Sequence, residues 1–194
     1  MLKLKRREPQ EFMLWCGLLG ISFTFLILTI VYVARKEGAD WENFYLPKVF
    51  GISTFFMLAS SFTLHHANQA FSKEDFFAFR YLIGTTLILG VFFIITQYVG
   101  WRELKNKGFF FENGKISGSF LYVISGLHIL HLVGGIIALL LVFMHSIRKS
   151  RYVDAFIYAV NPPNQLRLKL VTIYWHFVDI LWLYLYFFFS YHYK

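Results

Sequence analysis

The stretch Tyr174-Trp175-His176-Phe177-Val178-Asp179-Ile180-Leu181-Trp182 places a histidine and a carboxylate inside the last long apolar run of the chain. That run extends over about residues 170–191, which is enough to cross a bilayer as a helix. His176 and Asp179 are three residues apart, so a helix presents both on one face. A carboxylate at such depth costs ~2.5–3.5 kcal/mol on insertion scales. The sequence therefore predicts that this face turns away from lipid and that Asp179 meets a polar partner.

The composition indicates an integral membrane protein. Of the 194 residues, 57% are hydrophobic and only 15% are charged, whereas soluble domains carry about 25% charged residues. The net charge of +8 is attributed to Lys and Arg in loops, where they orient helices, and nucleic-acid binding is not expected. Cys16 is the only cysteine, so the chain has neither an internal disulfide nor a CxxC metal site.

Five apolar runs predict an all-α membrane protein, because a bilayer requires backbone hydrogen bonds within the segment and the runs do not alternate as barrel strands do. We expect a single membrane domain over residues 1–194, a bundle of five transmembrane helices with spans at about residues 12–34, 49–67, 76–99, 118–145 and 170–191. The first run is too long for a cleavable signal and is interpreted as an uncleaved span.

The basic residues predict the orientation of the bundle. With the N-terminus inside, the inner segments carry more of the 19 Lys and Arg than the outer ones, and the basic start Lys3-Leu4-Lys5-Arg6-Arg7 contributes most. Five spans then place the C-terminus outside. The long loop before the last span contains Asn161-Pro162-Pro163-Asn164, which is predicted to be non-helical through its prolines.

Polar side chains within the spans suggest where helices meet. His128 and His131 share a face of the fourth span, and their depth nearly matches that of His176 and Asp179, estimated at ~1.5 Å per residue. We hypothesise a structural polar seam of His128, His131, His176 and Asp179 between the fourth and fifth spans. A second group, His65 and His66, is expected at the inner membrane boundary as an inner-surface polar cluster.

Other functions compete with this structural interpretation. Paired histidines beside Gly134 and Gly135 would suit a bis-histidine haem. Intramembrane His and Asp are also the usual parts of a proton path. A metal hydrolase is disfavoured, because the chain has no HExxH motif. A small transporter would need a substrate cavity that the sequence does not reveal.

Three stretches carry a family resemblance that extends from about Pro47 to the end of the chain. The stretch 174–183 resembles the closing YWHFVDxxWLF helix of subunit III of haem-copper oxidases, residues 119–134 resemble its SxFFxxTGFHGLHVxxG helix, and residues 58–66 resemble its LLxSSxTxxxAHH helix. Their order and spacing agree with the family as well. With five runs in place of seven, the chain is similar to the short bacterial form, and Gly20 stands roughly where the family often has a buried Glu.

The resemblance implies an accessory, non-redox subunit of a terminal cytochrome c oxidase in a bacterial inner membrane. It implies binding to subunit I, which holds haem and copper, with no catalytic residue, metal or redox cofactor in this chain. It also implies a bound phospholipid and support of proton uptake during respiratory electron transport. A subunit III relative associated with a quinol oxidase or a nitric oxide reductase, and a small haem b electron carrier, remain as alternatives.

The seam hypothesis predicts that Asp179→Asn weakens assembly and lowers thermal stability, because the carboxylate would lose its polar partners. Thermal unfolding of the purified variant and its yield in the assembled complex measure both effects. Unchanged assembly together with unchanged stability would count against the hypothesis.

Overall fold

The computed structural model describes residues 9–36, 46–109, 116–148, 156 and 160–192. Within these residues the chain forms five long helices: α1 (Pro9–Arg35), α2 (Val49–Ser72), α3 (Phe76–Asn106), α4 (Ile116–Arg148) and α5 (Pro162–His192). The predicted all-α class is confirmed for this part of the chain.

Four of the helices are long and apolar enough to cross a membrane, namely α1, α3, α5 and residues Gly118–Arg148 of α4. The exception is α2, whose 24 residues include Ser, Thr, His and Asn side chains along most of its length. At ~1.5 Å per residue, α2 is nevertheless about 36 Å long. The count of five membrane spans therefore remains a prediction.

The start of α5 corrects the expectation for Asn161-Pro162-Pro163-Asn164. The prediction of a non-helical segment was wrong, because α5 begins at Pro162. The first N–H groups of a helix have no intrahelical acceptor, so a proline there loses nothing and its fixed φ suits the helix. The backbone N–H of Asn164 donates to the carbonyl of Asn161 over 3.0 Å at this start.

The buried face of α5 forms the centre of the bundle. Its buried positions recur at spacings of three, four and seven residues, as expected for one face of a helix: Leu168, Trp175, Val178, Asp179, Leu181, Trp182, Leu185 and Phe189. This face packs against α2 and α4. Thr54 meets Trp182 while Asn68 meets Thr172, so α2 and α5 are antiparallel.

The first helix, α1, lies at the edge of the bundle and runs parallel to α5. Its buried residues are few: Leu18, Phe25, Thr29 and Tyr32. Polar contacts attach both of its ends to α5. Lys169 Nζ lies 2.7 Å from Glu11 Oε1, and Lys36 Nζ donates to the carbonyl of His192 over 3.2 Å.

Two glycines let α3 and α4 approach the indole of Trp175. A Cβ added to Gly90 would lie 3.0 Å from the Trp175 ring, and one added to Gly135 would lie 3.3 Å from it. Trp175 is only 1% exposed, so its ring has little room to move. By contrast, a Cβ at Gly17 on α1 would meet nothing within 4 Å.

We expect Gly90→Ala to be less stable than Gly17→Ala by about 1–3 kcal/mol, the usual effect of overpacking a core. Both substitutions gain similarly in helix propensity, so the difference isolates the clash with Trp175. Thermal unfolding in one detergent measures it. Equal stability of the two variants would show that Trp175 does not fill this space.

Candidate functional site

His176 and Asp179 lie together near the middle of α5. His176 Nδ1 lies 3.8 Å from Asp179 Oδ2, and it is hydrogen-bonded to Ser61 Oγ of α2 at 2.7 Å. Asp179 is only 3% exposed. The carboxylate therefore lies inside the bundle, on the side of α5 that faces α2.

Neither carboxylate oxygen of Asp179 has a hydrogen-bond partner among the described residues. The separation of 3.8 Å from His176 exceeds hydrogen-bond length. Because buried polar atoms are nearly always hydrogen-bonded, an unpaired carboxylate requires a bound proton, an ordered water or a donor from another chain.

His128 lies in an aromatic environment. It is fully buried, and neither ring nitrogen has a hydrogen-bond partner in the described ranges. Its ring centroid lies 5.1 Å from that of Trp182 on α5 and 5.8 Å from that of Phe93 on α3. His128 thus helps to pack α3, α4 and α5 together.

His131 is held by its own helix. Its Nδ1 lies 2.7 Å from the carbonyl of Leu127, and its ring meets the edge of Phe25 on α1 at 5.8 Å. The hydroxyl of Tyr174 donates to the backbone carbonyl of His131 over 2.9 Å, which ties α5 to α4. Within the described residues, neither α4 histidine forms a hydrogen bond or ring contact with His176 or Asp179.

A row of polar contacts between α2 and α5, here called the α2–α5 ladder, was not foreseen from the sequence. It consists of Trp182 Nε1 to Thr54 Oγ1 at 3.0 Å, Trp175 Nε1 to Ser60 Oγ at 3.2 Å, Ser61 Oγ with His176 Nδ1 at 2.7 Å, and Asn68 Nδ2 to Thr172 Oγ1 at 3.0 Å.

A sequence signal for the α2–α5 ladder exists. Thr54, Ser61 and Asn68 follow each other at intervals of seven residues, and so do Trp175 and Trp182. Matching intervals of seven on two helices indicate that their faces meet along a shared line.

The inner-surface polar cluster lies beside a cavity. Gln69 Nε2 approaches His65 Nε2 at 3.0 Å, while His66 Nδ1 lies 3.0 Å from the carbonyl of Phe62. His65 is exposed and lines a cavity of about 640 Å³ between α2 and α5, which His176 also lines. The cavity therefore links the cluster to the His176–Asp179 pair.

The space considered for a haem is occupied by side chains of α5. A Cβ on Gly135 would lie 3.2 Å from the ring of Tyr174, and one on Gly134 would lie 3.7 Å from the Tyr174 hydroxyl. The two glycines thus accommodate aromatic rings. Within the described ranges, no three His, Cys, Asp or Glu side chains are grouped closely enough to hold a metal ion.

The α2–α5 ladder predicts measurable coupling between Trp182 and Thr54. In a double-mutant cycle with Trp182→Phe and Thr54→Val, we expect a coupling free energy of about 0.6 kcal/mol, the average for interhelical hydrogen bonds in membranes. Unfolding free energies of the four chains provide the value.

A control cycle pairs Trp182→Phe with Thr24→Val, because Thr24 is exposed and its hydroxyl, among the residues that the structure describes, bonds only the carbonyl of Gly20 in its own helix. No coupling is expected there. If the Trp182–Thr54 cycle also gave zero, the indole would not be held by α2.

Comparisons with known proteins agree with the resemblance of the three motifs. The family model of cytochrome c oxidase subunit III matches residues 38–194. Cytochrome c oxidase subunit 3 of Corynebacterium diphtheriae is 28% identical over 90% of this chain and 78% of its own length. Proteins of the same name from Thermostichus vulcanus and a Bacillus species are 30% and 25% identical, over 86% and 89% of this chain and 76% and 80% of their own lengths. Since the family model covers most of the sequence, the chain belongs to the cytochrome c oxidase subunit III family.

Proposed function

We propose that this accessory subunit of a haem-copper oxidase acts as a non-redox scaffold that binds subunit I, stabilises it and supports proton uptake. The observation that carries the proposal is the α2–α5 ladder. Its side chains hold two helices in register, which is the expected role of interhelical polar contacts in a membrane. In this proposal haem and copper belong to partner subunits, and no residue of this chain performs catalysis.

We place the chain in a bacterial inner membrane as five transmembrane helices, with the N-terminus inside and the C-terminus outside. The helix directions support this arrangement, since α2 is antiparallel to α5 and α1 is parallel to it. The relatives from Corynebacterium and Bacillus support the location. Several basic residues used for the orientation lie outside the described residues: Lys3, Lys5, Arg6, Arg7, Lys115, Lys149, Arg151 and Lys194.

A groove between α1 and α5 supports the proposal of a bound phospholipid. It has a volume of about 390 Å³ and an almost wholly apolar lining, which includes Phe23, Leu26 and Ile180. An apolar groove beside the edge helix α1 suits an acyl chain, because hydrocarbon fills it without desolvating polar groups.

An affinity-tagged form of this chain, extracted from native membranes in mild detergent, should co-purify with a larger chain that bears haem and copper. Once separated from that partner, the chain should show no Soret band, because its glycine-lined spaces are filled by Tyr174 and Trp175. Mass spectrometry, metal analysis and an optical spectrum provide the measurements.

A tagged, unrelated membrane protein from the same cells is the control for non-specific capture. Two outcomes would contradict the proposal: a stoichiometric haem in the separated chain, which would indicate an electron carrier, or the absence of any haem-copper chain from the specific eluate.

A further inference from the structure

The cavity between the end of α2 and the start of α5 extends deep into the bundle. On α5 its lining runs from Gln165 to His176, about 17 Å along the helix axis at ~1.5 Å per residue. Polar side chains of both helices line it, among them His65, Asn68, Lys169, Thr172 and His176. At about 640 Å³ it is large and polar enough to hold many water molecules. Water can therefore reach His176, one helical turn before Asp179.

His176 lies between the cavity and the carboxylate. Its Nδ1 faces Ser61 Oγ at 2.7 Å and Asp179 Oδ2 at 3.8 Å. Its side chain is 32% exposed, whereas that of Asp179 is only 5% exposed. An imidazole can accept a proton at one nitrogen and release one from the other, so this placement suits transfer between water and a buried acid.

Buried aromatic rings lie one helical turn beyond Asp179, on the side away from the cavity. Trp182 lies one turn further along α5; its ring stacks on Phe50 at 6.2 Å and meets the edge of Phe93 at 5.0 Å. All three residues are at most 3% exposed. These rings pack against one another one turn beyond Asp179, and the cavity lining on α5 ends at His176.

The titratable groups around the carboxylate come from several helices. They are His176 and Lys169 on α5, His65 on α2, Glu74 between α2 and α3, and His128 and His131 on α4. Lys169 is paired with Glu11 of α1, and the α4 histidines meet aromatic rings. His176 alone among them both lines the cavity and lies beside the carboxylate.

We propose that Asp179 is an internal proton-binding site that exchanges protons through His176 with one side of the membrane only, the side where α2 ends and α5 begins. A hydronium ion in the cavity protonates the imidazole at the nitrogen away from Ser61. Nδ1 then releases its proton to the Asp179 carboxylate, through the Ser61 hydroxyl or an intervening water. The products are water, a neutral imidazole and a carboxylic acid, and no electrons move. The site rests on contacts within this chain and is independent of the oxidase assignment.

Infrared spectroscopy of the full chain in lipid nanodiscs tests the site directly. The carbonyl stretch of the protonated Asp179 carboxyl is identified as the band that Asp179→Asn removes. After transfer from H₂O to D₂O, the downshift of this band reports proton exchange. We expect His176→Phe to slow the exchange roughly 100-fold, the lower end of what a positioned proton-transfer group contributes.

Two further variants separate a proton relay from a structural role. His176→Gln can still hydrogen-bond to Ser61 but cannot carry a proton between two nitrogens, so it should be as slow as His176→Phe. His131→Phe removes an intramembrane histidine that does not line the cavity and should exchange at the original rate. The amide bands confirm that each variant is folded.

A bulky label on an introduced cysteine blocks the cavity without changing His176 or Asp179. In a Cys16→Ser background, which removes the exposed native cysteine, Ser72→Cys in the cavity lining is labelled with a bulky methanethiosulfonate, and the exchange should slow only after labelling. The proposal is overturned if no carboxyl band depends on Asp179, or if exchange is unaffected by both the cavity label and the His176 variants.

Discussion

A hydrocarbon interior provides no hydrogen bonds, so a polar side chain inside it must find its partner within the protein. Here this constraint falls mainly on α2, which carries Ser, Thr, His and Asn side chains along most of its length. Its polar groups meet neighbours on both sides. On α3, Thr86 bonds Thr63 at 2.8 Å and Gln97 donates to Ser53 over 2.9 Å. On the other side lies the α2–α5 ladder. The helix is tolerable in a membrane because α3 and α5 cover it.

The same constraint explains the aromatic character of the core. Trp175 and Trp182 each bury a large apolar ring and still satisfy an indole N–H on α2, a combination that suits tryptophan in particular. Gly90 and Gly135 leave room for the ring of Trp175. The result is a close packing of α2, α3, α4 and α5, with α1 at its edge. Asp179 stands out because it is a carboxylic acid that is buried without a hydrogen-bond partner among the described residues.

Periodicity and local spacing in the sequence predicted much of the fold. They predicted the helical class and the proximity of His176 and Asp179, since three residues on one helix fix that geometry. They did not predict the rotation of each helix about its axis, which selects partners at a given depth. Depth alone predicted that His131 and His176 lie at the same level and meet. The ring of His131 instead contacts Phe25, and its backbone carbonyl accepts a hydrogen bond from the Tyr174 hydroxyl. The polar partner of His176 is Ser61 on α2, whereas the sequence predicted the histidines of α4.

The polar and aromatic face of α5 holds this helix in the bundle and keeps Asp179 inside the protein. A high-resolution density map of this chain within its native oxidase tests it most directly. We expect the map to show the Trp175 and Trp182 indoles hydrogen-bonded to hydroxyls of α2 and His176 hydrogen-bonded to Ser61. Asp179 should be enclosed by α2 and α5. A map with Asp179 against lipid, or with iron or copper bound by His128, His131 or His176, would contradict it.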